Sequence, residues 1–438
     1  MFKRKIEAQL YENYKNENSK IIIIDGARQI GKSFIIRSTA SNFFPNFIEI
    51  NLRDDFDGEE LFNKVKTTKD FYIILSSIYG DKLGSFDNTL IFLDEIQVYP
   101  HLITLLKALK QERRYRFIAS GSLLGVTLKH SFIPMGSITE IKMYPMDFEE
   151  FLWANGVSDE TINHLRECFV NLTEINDALH ERMLGLFKDY LICGGLPDAI
   201  TEYVINRNVQ KTRNIQEETI KYYRDDSSQY DEEHKLKISK IYDMLISNMS
   251  NKVKRLQFNH IESKKNADLE TYEDEFDYLT SSGIVLSDRA ISNPVFPLSQ
   301  SSSKNLIKLY YNDVGLLTNL LYRNNVDAIL NNDSGINLGS VYETVVIMEL
   351  VAHGHECFYF DSKKVGEVDF LINDYNLLSA LPIEIKSGND QYNYRAIPKL
   401  VDNKGNYKLP LGYIFGNKNT IKKENNLILL PIYLIMFI

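Results

Sequence analysis

Cysteine is scarce in this chain: three residues, Cys168, Cys193 and Cys357, lie far apart and in no C-x-x-C pair. A disulfide framework and a thiolate zinc cage are therefore not the organising device, and a reducing cytoplasm is the expected compartment. A long apolar run is also missing. The longest, LILLPIYLIMFI at 427–438, contains Pro431 and is too short to span a bilayer. It is read as a buried terminal strand, with a tail anchor as the weaker alternative, and no membrane is expected. The first twenty residues carry charges but no apolar core, unlike a signal peptide. Nor is positive charge in excess: 50 Lys and Arg against 59 Asp and Glu leave −9. Contact with DNA or RNA would have to come from local patches. What is present is an ordinary composition, 44% hydrophobic and 25% charged over 438 residues. That is room for about two to four domains.

The most informative stretch is IIIIDGARQIGKS, residues 21–33. Four β-branched residues, Ile21 to Ile24, suit a strand buried on both faces of a parallel sheet. Gly26-Ala27-Arg28-Gln29-Ile30-Gly31-Lys32-Ser33 then fits G-x-x-x-x-G-K-[ST], and FIIRSTA reads as a helix. Strand, glycine loop and helix in this order make a phosphate-binding loop. Gly26 and Gly31 let backbone N–H groups converge on one anion, and the helix start adds its dipole. Lys32 supplies a cation for β- and γ-phosphates, and Ser33 a hydroxyl for Mg²⁺.

The rest of the chain arranges itself around that loop. A polar helix (1–18) precedes it. A strand (44–52), two helices (59–66 and 69–79) and the apolar strand NTLIFLDEIQ (88–97) follow. Asp94 at that strand's end is placed to hold Mg²⁺ with Ser33, and Glu95 to accept a proton from an attacking water. A helix (99–110) and the strand RYRFIASGS (114–122) come next, where Ser120 or Ser122 is a candidate contact to the γ-phosphate or the water. A strand and a helix follow at 137–152. Five strands alternating with helices give a doubly wound parallel α/β domain.

Residues 1–155 are read as that domain, 156–215 as a helical lid and 216–304 as a winged-helix-like module. Within the module, 216–234 reads as a linker or exposed helix, and LETYEDEFDYL is too acidic for a DNA groove, so protein packing is favoured. Residues 305–438 form a mixed α/β domain with a helix (341–354), strands (356–361, 366–374, 381–390), a helix (394–402) and further strands. Asp369 lies in EVDFLI. Glu384 and Lys386, two apart in IEIKS, face the same side of a strand. With Glu343 on the preceding helix they form a D…E-x-K cluster suited to a divalent cation and an activated water. The competing reading is a partly buried salt-bridge network without catalysis.

Taken together, GARQIGKS, LIFLDEIQ, IASGSLL, PMDFEEFL, YLICGGLPDAI, KLYYNDVGLL and EVDFLI…IEIKSG resemble the bacterial and archaeal AAA-superfamily ATPases that carry a C-terminal domain of unknown function with a restriction-endonuclease-like core. The resemblance implies ATP at residues 26–33, Mg²⁺ at Ser33 and Asp94, catalysis by Glu95 with Lys32, and a sensor near Ser120. Glu343, Asp369, Glu384 and Lys386, read from the residues, are the candidate nuclease-like site, with a second divalent metal as its candidate cofactor. DNA or RNA, another protein, or further copies of the chain are the partners to consider. One departure stands out. Such proteins usually have a Gly-Arg pair shortly after the sensor strand, and SFIPMGSITEI has Gly136-Ser137 instead. Arg28, Arg113, Arg114 and Arg116 are the candidate substitutes. Two functional readings follow: an ATP-driven switch or motor coupled to a nuclease-like domain, or an ATP-switched regulator whose C-terminal domain binds without cutting.

Overall fold

The computed structural model describes residues 2–122, 124, 136–226, 232–250, 258–262, 269–331, 336, 338–388, 394–402 and 404–438. The chain divides into two compact units, one of residues 3–144 with 281–283, the other of residues 145–280 with 284–438.

The first unit is built on a five-stranded parallel sheet in the order β2-β3-β4-β1-β5, with β1 Ile21–Asp25, β2 Asn46–Asn51, β3 Thr89–Asp94, β4 Arg116–Gly121 and β5 Ile138–Lys142. Every residue of β1 and β3 is buried, as the unbroken apolar runs require when helices cover both faces. Register aligns the strand ends: Asp25 pairs with Gly121, and Asn51 with Asp94. The carboxyl-terminal edge therefore gathers Asp25, Asp94 and Ser120, where an open parallel sheet binds its ligands.

One expected helix is absent. Residues 59–66 are not helical; a short helix occupies Asp55–Gly58 instead. Glu60 has a φ of 52°, which a right-handed helix does not accept. The buried Asp55 carboxylate takes the Phe62 N–H at 3.1 Å and the Tyr99 hydroxyl at 2.8 Å, closing the segment as a turn. The helix Thr68–Tyr79 forms as expected, with Thr67 and Asp70 in a reciprocal capping box.

The second unit holds the helices Asp159–Asn171, Asp177–Cys193 and Val209–Asp226, so the segment read as a lid belongs to it. Helix also covers 216–226 of the stretch read as linker or exposed helix; residues 227–231 lie outside the described residues. The acidic helix Glu273–Ser281 turns Glu275 inward, 2.8 Å from His234 Nδ1 and 3.6 Å from Lys237 Nζ. That acid serves packing. Residues 263–268, which would complete the winged-helix reading, are outside the described residues.

The unit's mixed sheet has eight strands in the order β12-β13-β11-β10-β9-β8-β6-β7. They are β6 Val285–Ile291, β7 Ser302–Tyr311, β8 Phe358–Ser362, β9 Gly366–Asp374, β10 Ser379–Lys386, β11 Gly412–Gly416, β12 Lys422–Glu424 and β13 Leu427–Pro431. The expected boundary between 304 and 305 falls inside β7, and β6 pairs in parallel with β8. The helix Gly339–Ala352 is buried nearly all round, as its apolar composition demands. The terminal strand is shorter than expected. It stops at Pro431, which lacks the donor to continue a ladder, and Ile432–Phe437 form a buried 3₁₀ helix.

Candidate functional site

The glycine loop is shaped by space as much as by conformation. A Cβ at Gly26 would sit 2.3 Å from the Met143 carbonyl oxygen. Gly31, at φ 92°, starts the helix Lys32–Ala40 from the left-handed region that favours glycine. Lys32 is only 6% exposed, and its Nζ donates to the Gly26 and Ala27 carbonyls at 2.9 and 2.7 Å. Burial lowers its pKa, and the nearby Glu95, Asp25 and Asp94 oppose that shift.

Ser33, one residue into the helix, donates its hydroxyl to Asp94 Oδ2 at 2.8 Å. The Ser120 hydroxyl donates to Asp94 Oδ1. Asp94 is thus held from both sides, and burial still raises its pKa, with the two hydroxyls working the other way. Ser33 and Asp94 present hard oxygen donors on one side of the loop, the type Mg²⁺ takes. Ser120, the residue expected near the γ-phosphate, spends its hydroxyl on Asp94.

Glu95 leaves β3 in the left-handed region, φ 57° and ψ 44°. Its Oε2 accepts from Gln97 Nε2 at 2.6 Å and from the Ser122 hydroxyl at 3.2 Å. Ser122 Oγ also accepts from Gln97 Nε2 at 3.2 Å and lies 3.5 Å from Arg28 Nε. The serine beside the general-base candidate is therefore Ser122. Gln97 was not foreseen; the 3₁₀ turn Ile96–Val98 that swings it back onto Glu95 has no sequence signature of its own. Among the four arginine candidates only Arg28 is here. Arg113 pairs with Glu17, Arg114 stacks over Tyr72, and Arg116 donates to the Tyr14 carbonyl at the opposite end of the strands. Residues 131–135 of the stretch lacking the Gly-Arg pair lie outside the described residues.

The second expected cluster is also assembled, and it is larger than the sequence suggested. Asp369 on β9 and Glu384 on β10 neighbour one another one step beyond the registered pair Phe370–Ile383. Asp369 Oδ2 accepts the Ile385 N–H at 2.8 Å, and Lys386 Nζ lies 2.8 Å from Glu384 Oε1. Burial pushes the Asp369 carboxyl well up, with Glu384 and Glu343 adding to it. Burial raises Glu384 as well, against the pull of Lys386. Glu343 Oε2 accepts from the Tyr310 hydroxyl at 3.4 Å. Three charged residues unforeseen from sequence join them. Lys308, 2% exposed, lies 2.6 Å from Glu367 Oε1 and opposes Asp288 across β6 and β7. Burial works against its charge, but Glu343, Asp288 and Glu367 outweigh it and raise its pKa. Asp288 is fully buried, and neither of its carboxylate oxygens has a hydrogen-bond partner. Burial pushes its pKa well up. Among the described residues, the one group of three metal-type ligand atoms within 4.8 Å of one another is Asp147, Glu349 and His353.

Comparison with known proteins bears on the domain that carries the first site. Residues 18–152 match the model of an AAA domain. Residues 184–327 and 338–435 match two domains of unknown function, DUF8612 and DUF4143. No curated protein matches the chain. Solved structures that align with the chain include the Thermotoga maritima RuvB Holliday junction branch migration motor, at 14% identity and TM-score 0.29, covering 65% of this chain and 89% of that one. The Pif1 helicase of Candida albicans aligns at 13% identity and TM-score 0.23, over 42% and 47% of the two chains. C. elegans PCH-2 aligns at 11% and 0.22, over 37% and 46%. Likeness at these TM-scores carries no functional argument. Among the described residues, no helix is long and apolar enough to cross a membrane. The loop and the strand-end acids thus lie within residues 18–152, the segment that matches an AAA domain and that supports a P-loop nucleotide-binding fold.

Proposed function

We propose that the chain binds ATP at residues 26–33 and hydrolyses it with Mg²⁺, as a switch or motor coupled to its C-terminal domain. The observation that carries this is the Ser33–Asp94–Ser120 chain of hydrogen bonds beside the buried Lys32. Ser33 and Asp94 would hold Mg²⁺, which when bound neutralises charge on the β- and γ-phosphates. Lys32 exchanges its two loop carbonyls for phosphate oxygens, and the loop N–H groups cradle the β-phosphate. Glu95 orients a water and takes its proton, with Gln97 and Ser122 fixing the carboxylate. Arg28, 3.5 Å from Ser122, is the arginine placed to meet γ-phosphate charge. ATP turnover measured with DNA, with RNA and with neither tests the reading. No turnover in any of the three would remove it.

For the C-terminal domain the second reading is the non-cutting one, in which these residues form a buried salt-bridge network: Asp369 is engaged by a backbone N–H and Glu384 Oε1 by Lys386, while Glu384 Oε2 is buried without a hydrogen-bond partner. The domain then recognises nucleic acid or protein through a nuclease-like scaffold. A cleavage assay with Mg²⁺ or Mn²⁺, with and without ATP, decides. Cutting abolished by Asp369→Ala and Lys386→Ala, with ATP hydrolysis intact, would restore the nuclease reading and its second metal.

A further inference from the structure

The PMDFEEFL stretch plays no part in nucleotide chemistry, yet it starts a buried cluster of unusual composition. Asp147 caps the helix Phe148–Ala154, its Oδ1 accepting the Glu150 N–H at 2.9 Å. Its other oxygen, Oδ2, lies 3.5 Å from His353 Nε2. Glu349, fully buried on the helix Gly339–Ala352, accepts the Phe148 N–H at Oε1 at 2.7 Å and turns Oε2 toward the same imidazole nitrogen, 4.0 Å away. His353 is fixed from behind: Nδ1 lies 2.8 Å from the Ile438 backbone oxygen, which can only accept. Nδ1 therefore carries the proton. Each residue uses one atom as an outward anchor, and one ligand atom from each of the three lies within 4.8 Å of the others.

We propose that Asp147, Glu349 and His353 bind a first-row divalent transition-metal ion, with Zn²⁺ as the reference member. The separations of 3.5 and 4.0 Å are too long for charge-assisted hydrogen bonds, which close to about 2.7–2.9 Å. They match a shared ion: bonds of about 2.0–2.2 Å leave neighbouring ligand atoms roughly 3–4 Å apart. One imidazole with two carboxylates is a mixed donor set that suits Zn²⁺ or Mn²⁺ better than Mg²⁺. The backbone oxygen behind Nδ1 is the outer-shell partner that metal-binding histidines use to fix tautomer and ring orientation. An ion here would tie the start of the helix Phe148–Ala154 to the buried helix Gly339–Ala352.

The test uses the full chain, stripped with a chelator and dialysed against Zn²⁺, with metal content and melting temperature read together. Glu349→Gln keeps an acceptor for the Phe148 N–H but removes the anionic ligand; His353→Ala removes the nitrogen. Wild type should hold about one equivalent more Zn²⁺ than either variant, with a Zn²⁺-dependent rise in melting temperature that both variants lose, and affinity should fall at least about tenfold. Zn²⁺ at the Ser33–Asp94 site is common to all three proteins and cancels in the comparison. Equal metal content in wild type and Glu349→Gln, or none in wild type, overturns the proposal and leaves a protonated His353 paired with two carboxylates. If His353→Ala does not fold, Glu349→Gln alone decides.

Discussion

Ser33 Oγ and Asp94 Oδ2, residues 61 positions apart, are joined by a 2.8 Å hydrogen bond. The helix start and the end of β3 are thereby held at hydrogen-bond distance. In the proposed reaction Mg²⁺ would find its two protein donors already adjacent, which lowers the ordering cost of forming the site.

Lys32→Ala removes the side-chain cation seated against the Gly26 and Ala27 carbonyls. Loss of a charge-assisted contact of about 1.5–3 kcal/mol weakens ATP binding roughly ten- to hundredfold. A fluorescent-nucleotide titration reads this, and unchanged affinity would sink the phosphate-loop assignment.

Glu95→Gln keeps the size of the side chain and its place beside Gln97 and Ser122, but the amide cannot take a proton. ATP should still bind while turnover drops on the order of 10²–10⁴-fold. Single-turnover hydrolysis at saturating ATP measures it; wild-type rates would remove Glu95 from the mechanism.

The two serines of β4's end separate two roles. Ser120→Ala frees an oxygen of Asp94, so the Mg²⁺ concentration for half-maximal turnover should shift. Ser122→Ala loosens Glu95, so turnover should fall with the Mg²⁺ requirement unchanged. Identical Mg²⁺ titrations for both variants would contradict the hydrogen bonds described.

Asp25, 2% exposed at the end of β1, has its pKa raised to about 6, first by burial and next by Glu140. The folded value lies above the unfolded one near 4, so the protonated acid stabilises the fold. That contribution is complete below about pH 4 and is lost as pH rises through about 6. The rise to about 6 corresponds to about 3 kcal/mol. Asp25→Asn should therefore flatten the fall in stability between pH 4 and pH 7. Urea melts of both proteins at several pH values check it; parallel profiles would show that Asp25 is not the titrating group.

The nucleotide site was legible because its chemistry is local: GKS and the LDE strand end each carry their role in a few residues, and parallel register brings the strand ends together. Gln97 and Ser122 were harder, since a single 3₁₀ turn decides which side chain reaches Glu95. The choice among four arginines was closed to sequence because three of them sit at the start of β4 and one in the loop. In the second unit Asp288 and Lys308 escaped notice for a topological reason. They lie on strands distant in sequence from Asp369 and Glu384, and only the β6–β8 pairing carries them onto the same sheet. The expected helix at 59–66 failed because apolar spacing does not register a carboxylate, Asp55, that captures a backbone N–H seven residues on.

The parallel pairing of β6 with β8 also limits how the chain can be cut. A fragment beginning at residue 305 would lose all of β6 and the first residues of β7. Phe358, Tyr359 and Phe360 of β8 would then form a bare strand edge with apolar side chains, an invitation to pair with a second chain. Lys308 would lose the carboxylate opposite it. Such a fragment should self-associate or fail to fold, whereas one beginning before the helix Glu273–Ser281 keeps β6 and β7. The sheet's boundary is set by where its ladder closes, some twenty residues upstream of residue 305.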